Sequence, residues 1–349
     1  MAKILVGLSG GVDSAVTAAL LKRQGHEVLG YTLKLLEQES TNNSDGGCCS
    51  FKDIRDARMV CDKMGIEYLV TNWRDTFKKN VIDRYVEGAK DGITHNPCVT
   101  CNSTIKLPVL VAVANHFGCD YVATGHYARV SPDGQRVVRA RNAAKDQSYF
   151  LWETPTHLLS RIMFPLGEFE SKDDTRALAR EFGLHVAEKR DSTDLCFLGG
   201  GTKQEFLARS GVQSSPGSFL SPDGASLATH TGYTKYVPGQ RAPLGGPGGP
   251  KYVLRVIPSS GGVVVGTREQ GLTTIVALRD TRMPQEGDLS GMVAVLRYHS
   301  TPVTVKALRG LGGDGLASLE LADPVFGVSP GQSCVFYKND EIAGGGVVA

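Results

Sequence analysis

The most informative short motif in the sequence is Ser-Gly-Gly-Val-Asp-Ser at residues 9–14, between an apolar run and a helical pattern. Glycines in such a loop let backbone N–H groups approach phosphate oxygens closely, and the following helix N-terminus adds a partial positive charge. No lysine follows the loop as in Gly-x-x-x-x-Gly-Lys, and the glycines of the loop do not have the spacing Gly-x-Gly-x-x-Gly. The motif therefore predicts an anion site, with a plain strand-to-helix turn as the alternative.

A second group of residues capable of chemistry consists of three cysteines. Cys98 and Cys101 form the single Cys-x-x-Cys of the chain, and Cys196 lies in Asp-Ser-Thr-Asp-Leu-Cys-Phe at residues 191–197. A structural zinc site normally needs four ligands, and no second Cys-x-x-Cys exists. The three thiols suit an iron–sulfur cluster with one open iron, or a division into nucleophilic and resolving cysteines; inert buried thiols are the remaining possibility.

The eight cysteines of the chain are too few for a disulfide scaffold in 349 residues. Cys61 lies on an apolar helix face, and Cys119 and Cys334 lie beside predicted strands, so we expect all three in the core. Cys48 and Cys49 follow two glycines, and their role stays undecided.

The elements that must position these residues alternate in type through the first two hundred residues. Strand-like apolar segments alternate with helical patterns, the strands being expected at residues 3–8, 28–33, 68–71 and 121–124. Repeated βα units predict a parallel sheet with helices on both faces. Ligands of such sheets bind beyond the carboxyl ends of the strands, where residues 9–14 and 124–127 would meet.

The pattern changes near residue 200, where glycine, proline, serine and threonine become dense and the later segments become short and β-like. We predict an α/β catalytic domain at residues 1–199, a small central β-rich domain at 200–272 and a C-terminal β-barrel at 273–349.

Composition excludes several classes of protein. Hydrophobic residues make up 41% and charged residues 21%, which is typical of a globular protein rather than a disordered or collagen-like one. The net charge of +2 does not mark a nucleic-acid binder, although residues 126–147 hold five Lys or Arg against two Asp. We find neither a signal peptide nor an apolar run near the 20 residues of a membrane span, so we expect a cytoplasmic protein without membrane contact.

The loop at residues 9–14 resembles the signature of the PP-loop ATP pyrophosphatases, which cleave ATP between its α- and β-phosphates. Further matches, in order along the chain, resemble one family of that superfamily, the bacterial tRNA-specific 2-thiouridylases. The matching stretches are GLSGGVDS at 7–14, CNSTIK at 101–106, ATGHYAR at 123–129, KDQSYFL at 145–151, FPLGE at 164–168, DSTDLCF at 191–197, PGQR at 238–241, RY at 297–298 and PGQS at 330–333.

The resemblance implies a PP-loop fold and ATP-dependent adenylation of the C2 oxygen of a wobble uridine in tRNA, followed by replacement of that oxygen by sulfur. It also implies catalytic roles for three residues. Cys196 corresponds to the cysteine that carries persulfide sulfur, Cys101 to the nucleophile that can form a disulfide with it, and Asp13 to a residue that orients Mg²⁺ on the phosphates. An upstream sulfur donor is expected as a partner.

The resemblance assigns binding roles as well. The ATP contacts would be Gly7, Leu8, Ser9, Gly10, Gly11, Val12, Asp13, Ser14, Leu33 and Gly125. The residues that hold the target base or other parts of the tRNA would be Asn96, Pro97, Cys98, His126, Lys145, Asp146, Gln147, Arg297, Tyr298 and Gln332.

Cys98 departs from the family pattern, in which aspartate is common at this position. Cys98, Cys101 and Cys196 together would suit a 4Fe-4S cluster whose fourth iron binds the sulfide, so both a cluster and a persulfide relay are expectations. Two other functions stay open on the residues alone: a PP-loop synthetase that adenylates a small metabolite, and a non-catalytic RNA-binding or redox module.

Overall fold

The computed structural model describes residues 1–36, 50–191, 194–245, 249–282, 289–310 and 316–349. Cys48 and Cys49 lie outside the described residues. The described chain forms two compact units. The first contains Met1–Ile82, Pro97–Gly201 and Asp340–Ile342, and the second contains Asp83–Asn96, Thr202–Asn339 and Ala343–Ala349. The predicted boundaries of three domains, at residues 199 and 272, stay a prediction.

The strands are numbered here along the chain. They are β1 (Lys3–Gly7), β2 (Glu27–Lys34), β3 (Glu67–Asn72), β4 (Tyr121–Thr124), β5 (Arg129–Val130), β6 (Val137–Val138), β7 (Ile162–Met163), β8 (Gly217–Leu220), β9 (Ser226–His230), β10 (Tyr252–Ile257), β11 (Gly262–Gly266), β12 (Leu272–Arg282), β13 (Val293–Val295), β14 (Val303–Arg309), β15 (Ala317–Phe326), β16 (Ser333–Lys338) and β17 (Glu341–Val348).

The α-helices are α1 (Val12–Arg23), α2 (Phe51–Met64), α3 (Arg74–Phe77), α4 (Asp83–Lys90), α5 (Pro97–Cys101), α6 (Leu107–His116), α7 (Thr156–Leu159), α8 (Lys172–Glu181) and α9 (Lys203–Arg209). Two π-helical segments occur at Lys78–Ile82 and Asn102–Lys106, and 3₁₀ turns occur at Ser148–Leu151, Pro165–Glu168, Cys196–Leu198, Tyr233–Lys235, Pro258–Ser260 and Glu269–Gly271.

The first unit is built on a five-stranded parallel sheet in the order β3-β2-β1-β4-β7. At the carboxyl end of β1, Gly7 pairs with Tyr31 of β2 and with Thr124 of β4. The loops that follow β1 and β4 therefore leave the same edge of the sheet, as the alternation in the sequence predicts.

Helix α1 is the central packing element of this unit. Its small apolar residues are buried on opposite faces: Ala18 belongs to the core cluster against the sheet, whereas Val16 and Ala19 pack toward α8. Small side chains permit this close approach on both faces. Burial of α1 in this way fixes the direction of its N-terminus, where the glycine loop ends.

The second unit contains two β structures. Strands β8 to β11 form a four-stranded sheet in the order β10-β11-β8-β9, with Phe219 and Val263 in its core. Within the described residues, six antiparallel strands close into a barrel in the order β12-β15-β14-β13-β16-β17, and β17 pairs back to β12. Leu278, Leu319 and Phe336 fill the barrel interior. The predicted fold class, a parallel α/β sheet with a β-rich region and a C-terminal barrel, is confirmed.

The structure differs from the sequence pattern at two elements. The helical pattern predicts a helix from about residue 103 to residue 117, but the helix begins at Pro97, so the Cys-x-x-Cys lies on the helix rather than before it. Proline suits the first helical position because its missing N–H has no intrahelical partner there. Strand β17 was not predicted, because glycines interrupt its apolar pattern; a Cβ on Gly346 would lie 2.8 Å from Thr281 Cγ2, so the glycine permits close strand packing.

The helix Pro97–His116 is long enough, and its mean hydropathy is high enough, to cross a membrane. However, 67% of its most apolar 18-residue stretch is buried inside the fold. We therefore interpret it as a core helix of the first unit.

Candidate active site

The loop that follows β1 is organised by its two serines. Ser14 Oγ accepts a hydrogen bond from Ser9 N at 3.1 Å and donates one to Gly11 O at 3.1 Å. Gly10 has φ of 74°, a conformation that L side chains rarely adopt. The loop is thus closed across its ends, and its backbone curves around the start of α1.

The loop curves around the N-terminus of α1, and the two together form the phosphate cradle. Gly11 is the N-cap, and it supplies no side-chain capping bond to the first turn. The first-turn N–H groups and the helix dipole therefore remain suited to a bound anion. Gly125, after β4, approaches this turn so closely that a Cβ there would lie 2.8 Å from Ser14 N and from the Asp13 carbonyl carbon. Gly125 keeps the β4 edge of the cradle open.

Asp13 in the first turn of α1 has two donors. Tyr127 Oη donates to Asp13 Oδ1 at 3.0 Å, and Lys172 Nζ pairs with the same oxygen at 2.5 Å. Burial, and then the charge of Asp13, raise the pKa of the Tyr127 hydroxyl, so it stays a protonated donor. Mg²⁺ in nucleotide sites is usually held by one or two carboxylates together with phosphate oxygens. The partly exposed Asp13 carboxylate fits that role.

A network of basic side chains joins Asp13 to the segment that carries Cys196. Lys172 Nζ also contacts Asp191 Oδ1 at 3.0 Å, Lys145 Nζ contacts Asp191 Oδ2 at 3.1 Å, and Arg176 Nη2 contacts Asp191 Oδ1 at 3.3 Å. Burial raises the pKa of Asp191, but the bonds from Lys172 and Lys145 outweigh it and hold that pKa below its ordinary value. Asp191 is therefore ionised near neutral pH.

Lys172 and Arg176 were not predicted as site residues. Both lie on α8, where the spacing of Ser171 and Asp174 predicts a capping box and the structure contains one. Their spacing of four residues places them on one helix face. That spacing is the one signal in the sequence, and it also fits an ordinary solvated face, so only the packing of α8 against α1 assigns them to the site.

The three predicted cysteines all lie in the first unit, with different exposures. Cys98 is exposed, Cys101 is buried at 8% exposure, and Cys196 is half-buried at the start of a 3₁₀ turn. All three are thiols rather than disulfides in the structure. Phe197 packs against Phe77 with ring centroids 6.4 Å apart, and the π-helical segment after Phe77 packs against α5.

The helix changes type directly after Cys101. Asn102 begins a π-helical segment, a rare form that is frequent at functional sites. Asn102 Nδ2 donates to Phe150 O at 3.2 Å, and Ser103 Oγ donates to Glu153 Oε2 at 3.1 Å. Both bonds tie the helix behind Cys101 to residues 148–153.

Among the described residues, no group of three or more His, Cys, Asp or Glu side chains is arranged to hold a metal ion. Mg²⁺ does not need such a group, because phosphate oxygens and waters complete its shell.

The predicted tRNA contacts of the first unit have internal partners. His126 Nδ1 bonds Thr124 Oγ1 at 2.7 Å, and burial holds its pKa well below the ordinary value. Asp146 is buried and accepts Ala140 N at 2.9 Å. Gln147 Oε1 accepts Tyr127 N at 3.0 Å. Gln147 therefore supports Tyr127, the residue that donates to Asp13.

The remaining predicted residues divide between the units. Leu33, near the carboxyl end of β2, and Pro97, at the start of α5, are buried in the first unit. The second unit contains Asn96, Arg297, Tyr298 and Gln332. Gln332 Nε2 donates to Thr94 O at 2.8 Å. A second bond, from Thr94 N to Pro330 O at 2.8 Å, means that both backbone polar groups of Thr94 are held by residues 330–332.

These features define a class: a nucleotide-binding protein of the PP-loop type, with thiols in the same unit as the phosphate cradle. Three family models match the chain. They are described as the tRNA methyl transferase HUP domain, at residues 2–200, the tRNA methyl transferase PRC-barrel domain, at residues 204–267, and the aminomethyltransferase beta-barrel domain, at residues 281–348.

Curated relatives narrow the class to one family. The chain is 41% identical over 362 residues to the tRNA-specific 2-thiouridylase MnmA of Methylobacterium sp. (strain 4-46), covering 99% of this chain and 94% of that protein. It is also 41% identical over 359 residues to the tRNA-specific 2-thiouridylase MnmA of Methylobacterium radiotolerans, covering 99% of this chain and 93% of that protein. The chain belongs to the tRNA-specific 2-thiouridylase family.

Proposed function

We propose that this protein is an ATP-dependent tRNA uridine 2-sulfurtransferase, which forms 2-thiouridine, AMP and pyrophosphate. The observation that carries the proposal is the phosphate cradle at residues 9–14 in the same unit as Cys101 and Cys196, in a chain that belongs to the 2-thiouridylase family. Methyl transfer, which the domain models name, has no need of a triphosphate cradle. Sulfur transfer uses both the cradle and the thiols.

The first step activates the uridine. The C2 carbonyl oxygen attacks the α-phosphorus of ATP, an O–P bond forms, and pyrophosphate leaves with the electron pair of the broken P–O bond while N3 loses its proton. N–H groups of the cradle and the α1 dipole stabilise the charge on the phosphates. Mg²⁺ held at Asp13 would neutralise phosphate charge. The oxygen at C2, otherwise a poor leaving group, now departs as AMP.

The second step delivers sulfur. The terminal sulfur of a persulfide on Cys196 attacks C2, and AMP leaves with the C–O electron pair. The Cys101 thiolate then attacks the Cys196 sulfur, so that the S–S bond to the transferred sulfur breaks and a Cys101–Cys196 disulfide forms. A dithiol reductant supplies the two electrons that restore both thiols. The half-buried Cys196 is accessible to a sulfur donor, whereas Cys101 is shielded.

We favour this persulfide relay over a 4Fe-4S cluster because the three cysteines differ in exposure and do not form a metal-holding group. The test is anaerobic purification followed by iron, sulfide and absorbance analysis. We expect a colourless, iron-free enzyme that thiolates tRNA fully. Activity that requires stoichiometric iron would contradict the relay.

The substrate is a tRNA with a wobble uridine, and the sulfur comes from an upstream donor in the cytoplasm. Basic side chains that face solvent in the first unit, Arg136 and Arg141, belong to the strip at residues 126–147 and suit phosphate contacts.

The decisive experiment is mass analysis of tRNA nucleosides from cells that lack this protein. We expect loss of wobble 2-thiouridine and its return with the wild-type gene. In vitro, pyrophosphate release should depend on tRNA. Release that depends on a small carboxylate would indicate a metabolite synthetase, and no release with any tRNA would indicate a non-catalytic module.

A further inference from the structure

The carbonyl side of the phosphate loop is held by a lysine that the reaction scheme does not use. Lys189 Nζ donates to Gly10 O at 2.9 Å, and it pairs with Asp53 Oδ1 at 2.7 Å and Asp56 Oδ2 at 2.6 Å. The Asp53 and Asp56 side chains are 13% and 8% exposed, and that of Lys189 is 27% exposed. These are short, partly buried charge-assisted bonds, which are stronger than neutral ones.

The helix below the loop is built to receive these bonds. Asp53 is also the third residue of the α2 capping box, where its carboxylate accepts Ser50 N at 3.0 Å. Gly10 lies against the Asp53 backbone so closely that a Cβ on Gly10 would overlap it. The phosphate loop therefore rests on the first turn of α2 and is fastened there by Lys189.

The backbone that carries Lys189 is itself fixed by α8. Arg176 Nη2 donates to Lys189 O at 3.0 Å, and Arg176 Nη1 donates to Ala187 O at 2.6 Å. The backbone at Lys189 is thus anchored, which limits the positions that its ammonium group can take near Gly10.

Peptide geometry gives this contact a consequence. The Gly10 carbonyl and the Gly11 N–H belong to one trans peptide plane and point in opposite directions. With the carbonyl held toward Lys189, the Gly11 N–H points away from α2, on the side of the loop where α1 begins. A phosphate held at the α1 N-terminus lies on that side.

We propose that Lys189 is a positioning residue for ATP: by holding the Gly10 carbonyl, it directs the Gly11 N–H to the phosphates of the bound nucleotide. Its ammonium charge is balanced by two carboxylates, so it acts through the loop rather than as a phosphate ligand. The inference rests on the proposed use of ATP and names a residue that this use depends on.

The test compares the binding of an ATP analogue with that of adenosine, which lacks the phosphates. In titrations by calorimetry, we expect Lys189→Met to weaken binding of a non-hydrolysable ATP analogue by about tenfold to a hundredfold, the range of one lost hydrogen bond to a charged group. Adenosine binding should stay unchanged, because adenosine has no phosphate for the Gly11 N–H to bind. Lys189→Arg should restore most of the analogue affinity and of pyrophosphate release.

Lys63→Met is a matched control, because Lys63 Nζ also donates to a glycine carbonyl of a distant segment, Gly183 O at 2.5 Å, but away from the loop. We expect it to bind both ligands as the wild type does. If Lys189→Met does not fold, as judged by circular dichroism, Asp56→Asn loosens the same lysine and should give a smaller, phosphate-specific loss.

Unchanged analogue binding in Lys189→Met, or equal loss of adenosine and analogue, would overturn the inference. Failure of the proposed function is a separate result, since it would appear as absent ATP binding or absent thiolation in the wild-type enzyme.

Discussion

The phosphate loop and the cysteine region of the first unit are held by different kinds of interaction. Around the loop, Lys172 pairs with Asp13 and Asp191 at 2.5 and 3.0 Å. Separately, Lys189 pairs with Asp53 and Asp56 at 2.7 and 2.6 Å. Around Cys101, the helix is held by apolar packing, by a change to π-helical geometry and by neutral bonds such as that from Asn102 to Phe150 O.

The difference matches the chemistry proposed for each region. A polyanionic substrate needs donors whose orientation is fixed before it binds, because reorientation during reaction would cost free energy. Thiol exchange instead requires sulfur atoms to approach one another in turn, and the unequal exposure of Cys101 and Cys196 suits such a sequence. In the proposed mechanism, the loop is a preorganised binding site, and the cysteine region separates an accessible sulfur carrier from a shielded partner.

The largest expected effect is complete loss of thiolation with no change in ATP binding. Cys196→Ser should abolish 2-thiouridine, because serine cannot carry a persulfide, while ATP binding stays at the wild-type level. Nucleoside mass analysis and calorimetric titration measure the two. Cys119→Ser, at a thiol in the core outside the site, is the control that should retain thiolation. Thiolation that persists in Cys196→Ser would refute the role assigned to this cysteine.

The converse change damages the loop alone. Gly10→Ala should reduce pyrophosphate release at least a hundredfold, because its Cβ would overlap the Asp53 backbone and φ of 74° strains an L residue. Gly25→Ala is a matched control, since Gly25 has φ of 86° but open space around the added Cβ. If both variants lose activity equally, backbone strain rather than the fit of the loop on α2 is responsible.

A smaller effect concerns the ion pairs. Asp191→Asn should lower the free energy of unfolding at pH 7 by about 1 kcal/mol, a modest figure because Asp191 is 30% exposed. The lowered folded-state pKa means that the contribution is present above the unfolded value of about 3.9 and is lost as pH falls through the folded value.

Urea unfolding between pH 7 and pH 3 measures this contribution. The difference in stability between the wild type and Asp191→Asn should narrow toward the acid end. Asp194→Asn, at an exposed position of the same loop, should stay within about 0.5 kcal/mol of the wild type throughout. A gap between the wild type and Asp191→Asn that is independent of pH would show that charge is not the cause.

The smallest expected effect is that of Cys98→Ser. In the persulfide relay the exposed Cys98 transfers no sulfur, so thiolation should stay within about threefold of the wild type, a difference below 1 kcal/mol. Steady-state thiolation rates measure it. Complete loss of activity together with loss of bound iron would favour the cluster instead.

Some features of this protein follow from local sequence. The loop at residues 9–14, the βα alternation and the capping box at Ser171 are short-range patterns, and the structure contains the corresponding elements. The barrel strands from β12 to β16 were likewise indicated by their spacing. Strand β17 has no such pattern, because glycines interrupt its apolar residues. Its Gly346 packs closely against Thr281 of β12, a contact that the local sequence does not reveal.

The sequence by itself indicated the reaction class, through the residue types of the phosphate loop and the cysteines together with the ordered family motifs. Only the tertiary structure decided which charges support them. Lys172 pairs with Asp13 across 159 residues, and Lys189 reaches Gly10 across 179. The hydrophobic pattern of the sequence does not reveal such pairs. A lysine on a solvated helix face and a lysine under the phosphate loop have the same local pattern, and only packing of the chain distinguishes them.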